Sequence, residues 1–374
     1  MPSLDLLLVN GPPAVPAPRA VLEHTDQLTA WLAEGGEKPL RVKQIRRQIL
    51  VNRAESFEAM TDLPKKLRDE LTRDWSVFGT TIEQNLTATD GTRKLLLRLH
   101  DGRLIECVLL FEADRRTVCI STQVGCGMGC VFCASGLEGV ARNLTASEIV
   151  EQIVRLRSLL PLEERLTHIV VMGMGEPLAN LDNLLEALAI VSHKDALDIS
   201  ARHITISTVG LPAKIHKLAE SGKAYHLAVS LHAPTDELRN QIVPTNDPIG
   251  LGPILEAADA FYAKTGRQVT YEYVLLGGLN DSRADARSLA NLLRGRQAHV
   301  NLIPFNPVEG LPYHRPSDEA VDAFVAILRQ AGISAKVRKT KGGQIDAACG
   351  QLRRRVESQS PAPSVAGEGA RTGE

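Results

Sequence analysis

The sequence predicts an α/β protein built on a partial barrel of six βα units, with a small helical domain before it and a β-meander between them. Three observations predict this. Residues 20 to about 78 carry helical periodicity. Short strands parted by Asp-Gly dipeptides then follow, and from Val118 apolar runs alternate with helical patterns. At 374 residues the chain can bury a full core with an accessory domain beside it.

After a Pro-rich opening (Gly11 to Pro18), Thr25 is positioned to cap a helix carrying Leu28, Trp31 and Leu32 that stops at Gly35-Gly36. Helical pattern continues through Arg41 to Leu50 and Leu63 to Leu71, with a basic side formed by Arg41, Lys43, Arg46, Arg47 and Arg53. That side reads first as a solvated helix face. Asp90-Gly91 and Asp101-Gly102 mark hairpin turns of the meander. In its strand Leu104 to Leu110, period-two alternation puts Leu104, Glu106, Val108 and Leu110 on one face and Ile105, Cys107 and Leu109 on the other. Glu106 is thus a carboxylate in an apolar row, or else a strand-end residue reaching solvent. Cys107, on the opposite face, reads as core.

Six strands are expected at Val118 to Thr122, Thr167 to Met172, His203 to Ser207, His226 to Leu231, Val269 to Leu276 and His299 to Pro304, with helices such as Ala146 to Leu159 and Leu181 to His193 between them. Ligands of such folds sit at the carboxyl ends of the strands. The expected divisions are a helical domain at 1–78, the meander at 79–112, the core at 113–356 and a disordered tail at 357–374, the last too poor in apolar residues to pack.

Bulk composition excludes several classes. Hydrophobic content of 44% and charged content of 23% are those of an ordinary globular protein, and a net charge of −1 gives no bulk attraction to nucleic acid or membrane, so any nucleic-acid site must be a local basic patch. The first ten residues lack a basic region and are broken by Asp5, which argues against a signal peptide. No run approaches about 20 apolar residues. A cytoplasmic protein is expected.

Three of the six cysteines fall within eight positions, Cys126, Cys130 and Cys133, in a CxxxCxxC loop following the first barrel strand. Such crowding reads as ligation, not as a disulfide framework. Thiolates are the usual ligands of iron-sulfur clusters, and Gly125, Gly127 and Gly129 let the backbone bend around one. With three local ligands, a catalytic [4Fe-4S] cluster with one open iron is the better reading; a zinc or iron-sulfur RNA-binding protein is the alternative. At other strand ends stand Gly173-Met-Gly175-Glu176-Pro177, Ser207, Ser230-Leu231-His232 and Asn306. Each alone is an ordinary polar strand end; together they mark one rim.

The cysteine spacing resembles that of the radical S-adenosylmethionine superfamily. The resemblance narrows to the RlmN/Cfr family of RNA adenine methyltransferases through Pro39-Leu-Arg-Val-Lys-Gln-Ile45, Met60-Thr-Asp-Leu-Pro-Lys65, Val118-Cys-Ile-Ser-Thr-Gln-Val-Gly-Cys126, Arg142-Asn-Leu-Thr145, Gly173-Met-Gly-Glu-Pro-Leu178, Ser230-Leu-His-Ala-Pro234, Leu302-Ile-Pro-Phe-Asn-Pro307 and Ile345-Asp-Ala-Ala-Cys-Gly-Gln-Leu352. It spans nearly the whole chain before the tail and implies a radical SAM barrel with a [4Fe-4S] cluster and S-adenosylmethionine as cofactors. Gly175, Glu176, Ser207, Ser230, Leu231, His232 and Asn306 are then the cofactor-binding residues.

The resemblance implies that one cofactor molecule methylates Cys349 and a second supplies a 5′-deoxyadenosyl radical that removes hydrogen from that methyl. The methylene radical adds to carbon 2 of adenine, Glu106 takes the ring proton, and Cys119 attacks Cys349 to form a transient disulfide and free the product. Taken alone, Cys349 and Cys119 read as small buried hydrophobes.

The resemblance implies 23S rRNA and tRNA as substrates and a protein such as flavodoxin as electron donor, and a monomer is expected. Lys336, Arg338, Lys339, Lys341 and Arg353 to Arg355 become candidate phosphate contacts, and the target base must be flipped to reach a buried cofactor. Gln48-Ile-Leu50 and Gly343-Gln344 depart from the family pattern without removing a catalytic group. The run Val337 to Gly342 resembles the carbon 2 enzymes more than the carbon 8 ones.

Overall fold

The computed structural model describes residues 19–308, 310–338, 351–353 and 356. They fall into two compact units that part between Thr80 and Thr81. In the first, α1 (Thr25–Glu34), α2 (Leu40–Leu50) and α3 (Lys65–Asp74) follow β1 (Arg19–Ala20) and precede β2 (Trp75–Ser76), with which β1 pairs in parallel. Leu28, Leu32, Ile45, Ile49, Leu67 and Leu71 recur at four-residue spacing within their helices and are all buried, so each helix turns one stripe inward. Thr25 does not cap α1. The N-cap position is His24, and the Thr25 hydroxyl instead donates to the Val21 carbonyl at 3.1 Å.

The second unit opens with antiparallel β3 (Thr81–Thr87), β4 (Arg93–Arg98) and β5 (Leu104–Glu112). Gly91 and Gly102 take φ of +83° and +80° in the two turns, the left-handed backbone that both Asp-Gly dipeptides anticipate. Next, β6 (Arg115–Cys119) pairs antiparallel with β5 and parallel with β9 (His168–Val171), joining meander and barrel in one sheet. The hairpin of β7 (Gln123–Gly125) and β8 (Val140–Asn143) stands apart from that sheet. The parallel series continues through β10 (Ile204–Thr208), β11 (His226–Ser230), β12 (Val269–Leu275) and β13 (Ala298–Pro304).

The connecting helices are α4 (Ala146–Ser158), α5 (Leu181–Ser192), α6 (Pro212–Glu220), α7 (Asp236–Ile242), α8 (Leu251–Thr265), α9 (Arg283–Leu292) and α10 (Asp318–Gln330). Beyond the six expected strands lies a further parallel one, β14 (Ser334–Val337), paired with β13. Its four residues alternate polar and apolar, too short a pattern to stand out in the sequence. The fold is therefore a partial α/β barrel with an antiparallel wing, its strand order running β14-β13-β12-β11-β10-β9-β6-β5-β4-β3.

Register divides the sheet into two faces, because paired residues point the same way. One face carries Ile169, Val171, Ile204, Ile206, Leu227, Val229, Tyr271, Tyr273, Val300 and Leu302, all buried. These are the residues that crossover helices cover. The other face carries Val170, Thr205, Ser207, Ser230, Thr270, Glu272, His299, Asn301 and Lys336, a mostly polar row that extends through Cys119 and Val108 into the wing. Polar groups in such a row require hydrogen-bonding partners or water. Among the described residues no helix is long and apolar enough to cross a membrane.

Candidate active site at the strand ends

The CxxxCxxC loop begins as β7 ends. Gly125, at φ +78°, passes so close to Gly139 that an added Cβ would lie 2.1 Å from its carbonyl oxygen, so only glycine lets the hairpin close there. The Cys126 amide donates to that same carbonyl at 2.8 Å, and Cys133 N–H to the Cys130 carbonyl at 3.0 Å. Met128, Val131 and Phe132 pack with Val209, Ala233, Val274 and Phe305, seating the loop over the carboxyl ends of β10 to β13.

Burial pushes the Cys126 thiol up to about 12 and Cys130 higher still, and the neighbouring thiols add to the rise. Thiols this reluctant to ionise lose their protons to a bound cation. Among the described residues no three His, Cys, Asp or Glu side chains converge as around a single metal ion. A four-iron cluster gives each thiolate its own iron, so its ligands stand apart. Three thiols on a glycine-bent loop, shielded by apolar side chains, fit a cluster of that kind.

Around the loop stand the rim residues. Gly175, at φ +101°, lies where a Cβ would come within 2.6 Å of Gln123, and this contact brings the Gly173 to Pro177 segment against the β7 strand. The Glu176 side chain is buried, accepting from Leu178 N–H at 3.0 Å and Val209 N–H at 2.9 Å, while its own amide donates to Gln123 Oε1 at 2.8 Å. Burial raises its carboxyl above the usual range, and those amides and the Thr208 hydroxyl pull the other way. Glu176 thus clamps the ends of β9 and β10 together.

Ser207 and Ser230 share a hydrogen bond of 3.3 Å on the open face. Leu231 is fully buried, and its amide donates to the Glu272 carbonyl. His232 holds φ +61° and accepts Val274 N–H on Nδ1 at 3.1 Å, and its ring meets Phe132 of the cysteine loop edge-on at 4.9 Å. Burial lowers it to about 3, with the Arg239 charge adding to the effect, so the ring is neutral. Asn306 follows β13 and accepts from Arg315 at 3.2 Å.

The antiparallel wing brings a second group together. Glu106 is fully buried in mid-strand, which removes the solvent-reaching reading. Its Oε2 pairs with Lys94 Nζ at 2.6 Å, and its Oε1 accepts the Arg353 amide at 2.6 Å. Cys119 is buried on the same face, since it pairs with Val108, two residues from Glu106. Leu352 packs on Leu96 and Leu104, while Gln351 reaches the Pro307 carbonyl at 3.3 Å, so residues 351–353 touch both the wing and the far end of the barrel.

Arg353 is not a phosphate contact. It is buried, and its guanidinium pairs with Glu138 at 2.6 Å. Lys336 and Arg338 are exposed. Cys349, Lys339, Lys341, Arg354, Arg355 and the tail lie outside the described residues. No disulfide joins two described residues; a Cys119–Cys349 bond falls outside that statement.

Several side chains here carry no local sequence signal. Ser121 Oγ donates to the Glu106 carbonyl at 2.6 Å and accepts Met174 N–H at 2.8 Å, tying the wing to the glycine-rich segment. Arg239, fully buried, donates to the carbonyls of Ser230 and Leu231 at 2.9 Å each. Glu272 accepts from Asn301 at 2.8 Å on the open face, and burial raises its carboxyl. Only the motif-bearing neighbours of these residues were legible.

Residues 120–290 match the Radical SAM superfamily, and residues 23–77 match the ribosomal RNA large subunit methyltransferase N-terminal domain. The crystal structure of a radical SAM methyltransferase from Sphaerobacter thermophilus is similar at a TM-score of 0.84 and 44% identity, over 89% of this chain and 99% of that one. Open barrel, cysteine loop and these matches together define a radical SAM enzyme, whose cofactors are a [4Fe-4S] cluster and S-adenosylmethionine.

Its relatives go further. A probable dual-specificity RNA methyltransferase RlmN from Rhodopirellula baltica is 57% identical over 88% of this chain and 89% of its own length. Another with the same description, from Symbiobacterium thermophilum, is 48% identical over 91% and 92%. The chain belongs to the RlmN family of radical SAM methyltransferases.

Proposed function

We propose that this protein methylates carbon 2 of adenosine in 23S rRNA, at the peptidyl transferase centre, and in tRNA, next to the anticodon, using two molecules of S-adenosylmethionine per methyl group. One observation carries the reading. The Arg353 amide, four residues after Cys349, hydrogen-bonds Glu106, on the face that also bears Cys119. A methyl carrier, a proton acceptor and a thiol that frees the product need to meet at one substrate carbon, and this hydrogen bond brings the chain beyond the carrier to the acceptor.

Cys126, Cys130 and Cys133 would hold the cluster, and the rim of Gly175, Glu176, Ser207, Ser230, Leu231, His232 and Asn306 would hold S-adenosylmethionine. Glu176 acts by fixing the glycine-rich segment, since its two oxygens already accept backbone amides. When bound, these cofactors supply the methyl group and the one-electron chemistry that an unreactive ring carbon requires. Cys349 accepts the methyl, Glu106 takes the ring proton on a carboxylate oxygen, and Cys119 breaks the protein–RNA link by a transient disulfide.

The helical unit, residues 1–78, serves as an RNA-binding domain leading through the 79–112 meander to the 113–356 core, and the protein acts as a cytoplasmic monomer supplied with electrons by a flavodoxin-like donor. Lys336 and Arg338 are the described candidates for phosphate contact in the core. The target base is flipped out of its stack to reach the buried site.

Mass analysis after anaerobic reconstitution with S-adenosylmethionine tests the reading. A methyl on Cys349 and 2-methyladenosine in RNA are expected; an unmodified Cys349, an active Cys349→Ala protein, or 8-methyladenosine as the product overturns it.

A further inference from the structure

We propose that Lys94 is a positioning residue for the proton transfer, pairing with the Glu106 carboxylate and keeping it aimed; this rests on the reading that Glu106 takes the adenine proton. Lys94 lies in β4 between Arg93 and the run Leu95-Leu96-Leu97, and its side chain has no exposure. Lysine is almost never fully buried without a partner, and a buried ion pair adds little stability over apolar residues of the same volume. A pair in this place therefore calls for a reason beyond packing, and the geometry supplies one.

In register, Lys94 stands opposite Val108 and Leu96 opposite Glu106, so Lys94 reaches the carboxylate diagonally, on the shared face. It takes Oε2 at 2.6 Å, while Oε1 faces the segment after Cys349 through the Arg353 amide. Leu352, on Leu96 and Leu104, helps to keep water from the pair. A carboxylate removed from water is held in place where a cation and hydrogen-bond donors replace the water. With Oε2 fixed by the ammonium, Oε1, which also accepts the Arg353 amide, is the oxygen turned toward the methyl-carrier segment to take a proton. The ring C–H bond breaks, an O–H bond forms at Oε1, and the electron pair of the broken bond stays on the ring. The first methyl transfer, to Cys349, removes no ring proton and owes nothing to Lys94.

That separation makes the test. Full-length, reconstituted wild type, Lys94→Met, Lys94→Arg, Glu106→Gln and the Lys94→Met/Glu106→Gln double variant are compared on an RNA transcript that the wild type methylates. Cys349 methylation is read by mass, RNA product in single turnover, and protein–RNA adduct on a denaturing gel. Lys94→Met is expected to methylate Cys349 within about two-fold of wild type but to lose roughly 10- to 100-fold in RNA product, as weakened acid–base catalysis does, and to accumulate adduct. Lys94→Arg recovers part of the rate, and the double variant is no slower than Glu106→Gln.

Wild-type RNA turnover by Lys94→Met, or an equal loss in both steps with no adduct, overturns the proposal. Full activity of Glu106→Gln sinks the reading of Glu106 and the role of Lys94 with it. Should Lys94→Met not fold, Lys94→Gln, which keeps a donor without the charge, takes its place under the same criteria.

Discussion

The parallel arc and the antiparallel wing belong to one sheet but present their chemistry in different ways. In the arc, the candidate groups sit at or just past the carboxyl ends of strands, where Gly125 and Gly175 allow close turns and backbone amides fix Glu176 and His232. In the wing, Glu106 lies in mid-strand, and its partners come from the neighbouring strand and from a residue 247 positions away. Loop chemistry is local in sequence, whereas strand chemistry depends on register. The arc is therefore expected to hold cofactor for both steps, and the wing to serve only the step on RNA.

The largest effect should come from the loop. Cys130→Ala is expected to reduce iron content and bring both Cys349 methylation and RNA methylation to background; retained methylation of Cys349 would break the contrast. Glu106→Gln should act on one step alone, lowering RNA methylation by about 100-fold or more with Cys349 still methylated and iron content unchanged. A matching loss in both steps would make the wing an extension of the arc.

The smallest effect concerns stability. His232 is lowered to about 3 in the folded protein, against 6.5 for the unperturbed group. Its contribution is therefore complete above 6.5 and lost as pH falls toward 3, amounting to about 2 kcal/mol by pH 5. Urea unfolding at pH 7 and pH 5 should reveal that loss in the wild type and a smaller one in His232→Asn, asparagine being suited to φ near +61°.

Much of the arc was legible because its strands are apolar runs flanked by helical periodicity, and because three thiols in eight positions have few other uses. The two hairpins of the wing were legible through Asp-Gly. What escaped has physical causes. Lys94 and Glu106 are 12 positions apart and meet only once β4 and β5 pair, and β14 is four residues of Ser-Ala-Lys-Val. Arg353 looked like one of three surface arginines until Glu138, from the loop after Cys133, took its guanidinium. The Thr25 hydroxyl was expected to accept an amide and instead donates backward, a choice between two local hydrogen bonds that sequence leaves open.

Among the described residues the sheet does not close on itself, and β3 and β14 stand at its two edges, where another strand could add. Each edge discourages that in its own way. β3 breaks register at a bulge between Ile82 and Gln84 and carries Glu83, paired with Arg98 at 3.0 Å. β14 is only four residues long and carries the exposed Lys336. An open sheet thus carries its own guard against edge-to-edge aggregation.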